Sequence, residues 1–183
     1  MIARNLSRAT TLEVNSELYK TFTQFLSIPR DQNFKQNDAD KNLELDLCKV
    51  FFKDANRFSA PTNWQEECSE VDVWVDGIPV QVKCRGSKNH LYLEDYKIRS
   101  NGQKTSWVDR CEAKYVLFVY PNSVLHLDFV LYDAVDLKIV LDTLRQKDNL
   151  HEERLHWLDN FLPNWKFAEY RQDEVCAIYD IVV

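Results

Sequence analysis

Glycine and proline are scarce in this chain of 183 residues, which has only three glycines and five prolines. No Gly/Ser linker or Pro-rich tract divides the sequence, so we expect one globular domain over 1–183. Three isolated glycines also cannot supply a P-loop or a GxGxxG motif. ATP-driven and dinucleotide chemistry are therefore not expected.

Long apolar runs are missing as well. No stretch approaches the roughly 18 apolar residues that a membrane-spanning helix requires, and the first twenty residues lack the apolar core of a signal peptide. The five cysteines are widely spaced without a CxxC pair, a pattern that fits reduced thiols better than a disulfide framework or a zinc site. We therefore expect a cytoplasmic protein.

Charge gives no general affinity for nucleic acid, because the net charge is −6. Locally the balance differs: positions 83–114 hold eight basic and four acidic residues, and positions 128–159 hold the reverse. Proximity in sequence does not guarantee a shared face, so a solvated surface is the alternative to a binding patch. The candidate nucleic-acid contacts in the basic segment are Arg85, Lys88, Lys97, Arg99 and Lys104.

Periodicity predicts helices that bracket a mixed sheet, which is an α/β or α+β fold class. Helices are expected over 13–28, where Pro29 ends the run, and over 42–55, where Asp38 or Asp40 is the candidate cap. The other predicted helices cover 103–113, 133–146 and 149–162. Strands are expected at 71–75, 78–84, 90–98, 114–120, 124–132 and 174–183.

A β-hairpin is the most specific local prediction, because Asp76-Gly77 between two β-rich runs is typical of a type I′ turn. With these two residues as the loop, Val75 faces Ile78, and pairing continues outward to Glu70 opposite Lys83. One face then holds Val71, Val73, Val75, Ile78, Val80 and Val82. The other face holds Glu70, Asp72, Trp74, Pro79, Gln81 and Lys83.

The polar side chains of this second face suggest a metal site. Asp72 and Gln81 fall in a non-hydrogen-bonded pair, whose Cα atoms come within about 4.5 Å, so their oxygens can share one ligand. An acid, an amide oxygen and a lysine can hold Mg²⁺ and place an ammonium group beside a metal-bound water. The plain alternative is a solvated hairpin face, on which Glu70 and Lys83 form a modest ion pair.

At these residues the sequence resembles the PD-(D/E)XK nuclease superfamily, whose restriction-endonuclease-like members carry an acid on one strand and acid-x-Lys on the next. Here the pattern reads Asp72, VWVDGIPV, then Gln81-Val82-Lys83. The resemblance covers about 40–121, leaves 122–183 as a C-terminal extension, and implies a mixed central sheet flanked by helices. It also implies a Mg²⁺- or Mn²⁺-dependent nuclease that hydrolyses phosphodiester bonds, with DNA as the expected partner, RNA as the alternative, and the homodimer that is common among nucleases acting on duplexes.

The resemblance assigns a role to each residue. Lys83 orients or activates the attacking water. Outside the family motif, Glu70 is a candidate auxiliary ligand or a partner that tunes Lys83. Gln81 replaces the usual acid, and this loss of a negative charge weakens metal binding. A catalytically degenerate nuclease fold that only binds nucleic acid or a partner therefore stays open, and so does a plain structural protein. The implied metal ligands are Asp72, Gln81, the carbonyl of Val82 and Glu44, with Asp46 as the alternative to Glu44.

Overall fold

The computed structural model describes residues 9–27, 38–63, 69–86, 90–98, 104–148, 165–171 and 174–182. Within them the fold is mixed α/β, as predicted. The helices are α1 (Ser16–Ser27), α2 (Asp38–Phe51), α3 (Trp107–Arg110) and α4 (Ala134–Asp148). The strands are β1 (Thr10–Glu13), β2 (Phe58–Ser59), β3 (Val73–Val75), β4 (Ile78–Cys84), β5 (His90–Ile98), β6 (Lys104–Thr105), β7 (Tyr115–Ser123), β8 (His126–Asp133), β9 (Trp165–Arg171) and β10 (Glu174–Val182).

The chain forms two compact units, and each is described by itself. The first unit consists of Ser7–Lys88 and Cys111–Ala134, and its six-stranded sheet has the order β1-β8-β7-β4-β3-β2. Strands β4 and β7 run parallel, whereas the other neighbours in this sheet run antiparallel. The second unit contains an antiparallel sheet of order β6-β5-β10-β9. The candidate site lies in the first unit.

Local sequence explains where the first two helices lie. Asn15 caps α1, because its side-chain oxygen accepts the N–H of Leu18 at 2.8 Å. Leu18 and Phe22 point inward from α1, and Leu43, Leu47 and Cys48 do so from α2. These side chains form one core with the aliphatic residues of the sheet. Helix α2 is thereby fixed against the strands that carry the candidate site.

The hairpin turn is confirmed. Asp76 has a φ of 48° and Gly77 a φ of 80°, the positive values that a two-residue type I′ loop requires. Four of the six residues on the predicted apolar face, Val73, Val75, Val80 and Val82, belong to the core. Val71 is also buried, and Ile78 pairs with Val75 as predicted but is 37% exposed beside the turn.

Several element boundaries differ from the predictions. Strand β7 continues through Pro121 to Ser123, because a register shift against β8 accommodates the proline that was expected to end it. The helix predicted over 103–113 is only α3, since Lys104–Thr105 pairs with β5 as strand β6. Strands β1, β2 and β9 were not predicted. The helix predicted over 149–162 lies outside the described residues.

Candidate metal and catalytic site

The two hairpin strands separate where the candidate residues begin. The ladder between β3 and β4 has three pairs, from Val75–Ile78 to Val73–Val80. The predicted register continued for three further pairs, out to Glu70–Lys83, and this part was wrong. Asp72 donates its backbone N–H to the carbonyl of Val80 at 3.0 Å, although the predicted register would point this N–H away from β4.

The Asp72 carboxylate takes the place of the missing backbone partner. Its Oδ2 atom accepts the backbone N–H of Val82 at 2.8 Å and the Nε2–H of Gln81 at 2.6 Å. In the predicted ladder the Val82 N–H would have bonded to a backbone carbonyl of the opposite strand. The structure thus brings Asp72 and Gln81 together, as the hairpin face predicted, but by inserting a side chain into the sheet.

Burial dominates the electrostatics of Asp72. It raises the pKa of this carboxyl from its ordinary value of 3.8 to about 6, because charge is poorly solvated there. The positive charge of Lys83 and the hydrogen bond from Val82 act in the opposite direction, and the negative charge of Glu70 raises the pKa further. Asp72 therefore carries a charge that nearby protein groups only partly compensate.

Gln81 has an oxygen without a partner. Its side chain is buried with 3% exposure, and its Nε2 atom is used by Asp72. Its Oε1 atom is buried and accepts no hydrogen bond among the residues that the structure describes. Such a buried acceptor ordinarily costs about 1–3 kcal/mol. An amide oxygen is also a ligand type that hard divalent cations accept, so this atom fits a metal-binding role.

Lys83 follows Gln81 on the same face of β4 and is held by Glu70. The Nζ atom lies 3.4 Å from Oε2 of Glu70, and the two side chains are only 17% and 18% exposed. Glu70 has a left-handed backbone with a φ of 58°, which does not fit an extended strand and contributes to the early end of the ladder. The ammonium group is thus partly shielded and held beside the Glu70 carboxylate.

Helix α2 carries Glu44 and Asp46, the two alternative acids predicted for the metal site. Burial raises the pKa of the Cys48 thiol strongly, and the negative charges of Asp72 and Glu44 raise it further. Glu44 and Asp72 therefore both lie near this thiol. Asp46 is instead half exposed and pairs with Lys49 at 2.9 Å on the outer side of the helix. The choice of Glu44 as the metal ligand on this helix stays a prediction.

Carboxylates alone do not complete a metal site here. No group of three His, Cys, Asp or Glu side chains suited to a metal ion is found in the described part of the chain. A cation at this position would therefore also need the amide oxygen of Gln81 and a backbone carbonyl such as that of Val82. This donor set carries less negative charge than a site with three carboxylates.

The five candidate nucleic-acid contacts are divided between the two units and the residues that the structure does not describe. Arg85 belongs to the first unit, and its guanidinium donates to the carbonyl of Cys84 at 3.3 Å. Lys97 and Lys104 lie on β5 and β6 of the second unit. Lys88 and Arg99 fall outside the described residues. This set stays a prediction.

Sequence reasoning missed Arg57. The side chain of Asp76 accepts the N–H of Arg57 at 2.8 Å and joins the segment before β2 to the hairpin turn. Arg57, Ser59 and Trp74 then line a cavity of about 370 Å³ with the two turn residues. No pattern in the sequence links position 57 to position 76, because the contact depends on the fold.

Comparisons with models of known protein families, with curated proteins and with solved structures found no match. None of the described helices has the length and apolar character needed to cross a membrane. The functional assignment of the chain therefore depends on its own residues and their geometry.

Proposed function

We propose that this chain is a Mg²⁺- or Mn²⁺-dependent nuclease of the PD-(D/E)XK type that hydrolyses phosphodiester bonds in DNA. The observation that carries the proposal is the cluster at the separation of β3 and β4, where Asp72 contacts Gln81 and Lys83 follows on the same strand face. The mixed sheet with α1 and α2 packed on one face is compatible with the restriction-endonuclease-like fold that the resemblance implies.

The groups that would hold the cation are the carboxylates of Asp72 and Glu44, Oε1 of Gln81 and the carbonyl of Val82. The unpartnered oxygen of Gln81 and the incompletely compensated charge of Asp72 both support this choice. A divalent ion in such a site polarises the scissile phosphate and lowers the pKa of an attacking water. The neutral amide predicts weaker binding than a carboxylate would give.

Lys83 supplies the positive charge of the site. Its ammonium group donates hydrogen bonds to the attacking water or to a phosphate oxygen, where negative charge develops during hydrolysis. Glu70 holds this ammonium group at 3.4 Å and limits the positions it can adopt. The hydrogen bond from Val82 orients the Asp72 carboxylate in the same way. The chain thus fixes its charged groups before a substrate binds.

A second candidate function is nucleic-acid binding without cleavage. Gln81 donates to Asp72 at 2.6 Å, so the pair is stabilised without any cation. This contact favours a degenerate nuclease fold, in which the amide replaces the metal as the partner of the carboxylate. The two functions differ in whether the site binds a divalent ion and cleaves DNA.

Substitution of Lys83 tests the proposed activity. We expect the wild type to cleave plasmid, linear or branched DNA with Mg²⁺ or Mn²⁺, and Lys83→Ala to cleave at least about 100-fold more slowly because transition-state charge loses its partner. Lys20→Ala, which removes an exposed lysine of α1, is the matched control and should cleave normally.

The outcomes separate the two functions. Cleavage that depends on Lys83 supports the nuclease. DNA binding without cleavage, together with no heat of Mn²⁺ binding in calorimetry, supports the degenerate fold. If wild type and Lys83→Ala leave every substrate intact and neither binds metal, the nuclease assignment fails.

A further inference from the structure

A cavity lies at the tip of the hairpin, in the first unit. It has a volume of about 370 Å³ and is lined by Arg57, Ser59, Trp74, Asp76 and Gly77. Sites for small ligands commonly have about 300–1,000 Å³, so this cavity has room for one ring system and its immediate substituents. Its lining combines an aromatic ring, a cation, a hydroxyl group and the Asp76 carboxylate, which accepts the backbone N–H groups of Asn56 and Arg57.

The cavity lies close to the candidate catalytic site along the hairpin. Trp74 pairs with Pro79 across the hairpin. Pro79 and Gln81 are two residues apart on β4, so their side chains point to the same face and their Cα atoms lie about 7 Å apart. Trp74 is therefore on the face of Gln81 and Lys83. The spacing of about 7 Å between the Cα atoms of Pro79 and Gln81 is close to that of neighbouring nucleotides in an extended nucleic-acid strand.

Arg57 is held rigidly at its backbone while its side chain is exposed. Its N–H donates to Oδ1 of Asp76 at 2.8 Å, and its carbonyl accepts the N–H of Asp76 at 2.9 Å. The N–H of Asn56 also reaches both carboxylate oxygens of Asp76, at 3.1 Å each. The guanidinium of Arg57 makes no hydrogen bond or ion pair with another described residue.

We propose that this cavity is a nucleotide subsite, in which an unpaired base stacks on Trp74 and Arg57 contacts the adjoining phosphate. Tryptophan offers a stacking surface to any base, and the planar donor fork of a guanidinium suits phosphate. A base within a duplex has both faces covered by its neighbours, so the subsite selects single-stranded or extruded nucleotides. This subsite rests on the proposed function and specifies its substrate as nucleic acid with an unpaired nucleotide beside the scissile bond.

The test measures binding without cleavage, in EDTA. Fluorescence anisotropy compares a labelled thymidine hexamer with a hexamer of abasic sites, which keeps the phosphates and lacks the bases. We expect the wild type to bind the thymidine hexamer about tenfold more tightly than the abasic hexamer, since stacking contributes strongly for each base. Trp74→Leu should reduce this preference to less than about twofold.

Arg57→Gln is a second variant at an exposed position that leaves the core intact. It should weaken binding of both hexamers, lower the slope of log affinity against log salt by about 0.7, and keep the preference for bases. Lys20→Gln, which also removes one exposed positive charge, is the control and should change neither quantity. Thermal melting checks that each variant is folded.

Three results would overturn the subsite: no binding of either hexamer, equal binding of both by the wild type, or a base preference that survives in Trp74→Leu. Thymidine monophosphate that binds as tightly as the hexamer would also overturn it, because the cavity would then take a free nucleotide. Failure of the proposed function is distinguishable. Base-dependent binding with no cleavage refutes only the nuclease, whereas cleavage that requires Lys83 without base-dependent binding refutes only the subsite.

Discussion

At the scale of single residues, the structural role of Asp72 conflicts with its proposed role as a metal ligand. Its carboxylate completes the hydrogen bonding of β4 by accepting the N–H of Val82, which requires a buried position. Burial raises the pKa of the same carboxyl to about 6 and makes its ionised form unfavourable. The charge that would serve a cation therefore destabilises the metal-free fold near neutral pH.

Asp72→Asn should show this conflict as a function of pH. The unfolded carboxyl, with a pKa near 3.8, binds fewer protons than the folded one between pH 4 and 6, so the wild type loses stability as pH rises through that window. The asparagine keeps an acceptor for Val82 without the charge. We expect urea unfolding in EDTA to show Asp72→Asn gaining about 1–3 kcal/mol above pH 6 and little near pH 4.

Asp54→Asn, at an exposed carboxylate, is the control for that measurement and should lie within about 0.5 kcal/mol of the wild type at each pH. A gain for Asp72→Asn that is the same at pH 4 and pH 8 would show that the buried charge is not its source.

Gln81→Glu restores the acid that the nuclease pattern has at this position. It places a second carboxylate in contact with Asp72, so the metal-free variant should unfold about 1–2 kcal/mol more easily at pH 8. The added charge should also tighten Mn²⁺ binding at least about tenfold in calorimetry. Gln24→Glu, on the exposed side of α1, is the matched control. Unchanged metal affinity in Gln81→Glu would remove Gln81 from the site.

At the scale of elements, the hairpin has a tight turn at one end, and its two strands separate at the other. Its ladder has three pairs, and beyond them Asp72 contacts β4 through its carboxylate and its backbone N–H, while Lys83 pairs with Phe118 of β7. The turn sets the register of the hairpin, and the pairing with β7 fixes Gln81 and Lys83 on β4. Its backbone strain is concentrated at Asp76 and Gly77, which both have positive φ values.

Gly77→Ala tests the importance of that turn. An added Cβ at position 77 meets no atom within 4 Å, so the expected loss of about 1–2 kcal/mol comes from the φ of 80° alone. Gly86→Ala also enters open space but without a left-handed φ, and it should change stability by less than about 0.5 kcal/mol. Chemical denaturation of both variants gives the comparison, and equal losses would exclude backbone strain as the cause.

The hairpin also shows how far the sequence alone leads. The Asp-Gly turn and the alternation of side chains were predictable, because turn chemistry and strand periodicity are local. The separation of β3 from β4 was not, because it arises from a carboxylate that competes with the backbone for Val82. The contact between Asp76 and Arg57 and the continuation of β7 through Pro121 could not be predicted from the sequence either, because each depends on a neighbouring element.

At the scale of the whole molecule, charge limits how the proposed DNA substrate could bind. The net charge of −6 repels phosphates at long range, so binding has to come from a local cluster of bases. The predicted cluster includes Lys88 and Arg99, both outside the described residues. Their contribution is a prediction from the sequence.

Charge reversal at these two positions tests the cluster. Lys88→Glu with Arg99→Glu should weaken DNA binding in EDTA about tenfold and lower the salt slope by about two, as expected for two lost phosphate contacts. Lys20→Glu with Lys53→Glu makes the same change in net charge at exposed positions elsewhere. If both double variants bind DNA equally weakly, the affinity is controlled by the net charge of the protein and not by the predicted basic cluster.

The hydrogen bond between Val82 and Asp72 makes one backbone amide a natural sensor. Its proton is held by a carboxylate that titrates near pH 6, whereas a proton in an ordinary ladder is held by a carbonyl that does not titrate. The nuclear magnetic resonance frequency of this single amide therefore follows the ionisation of Asp72. The chain thus carries its own spectroscopic label, and the electrical state of the site is readable without substrate, dye or added tag.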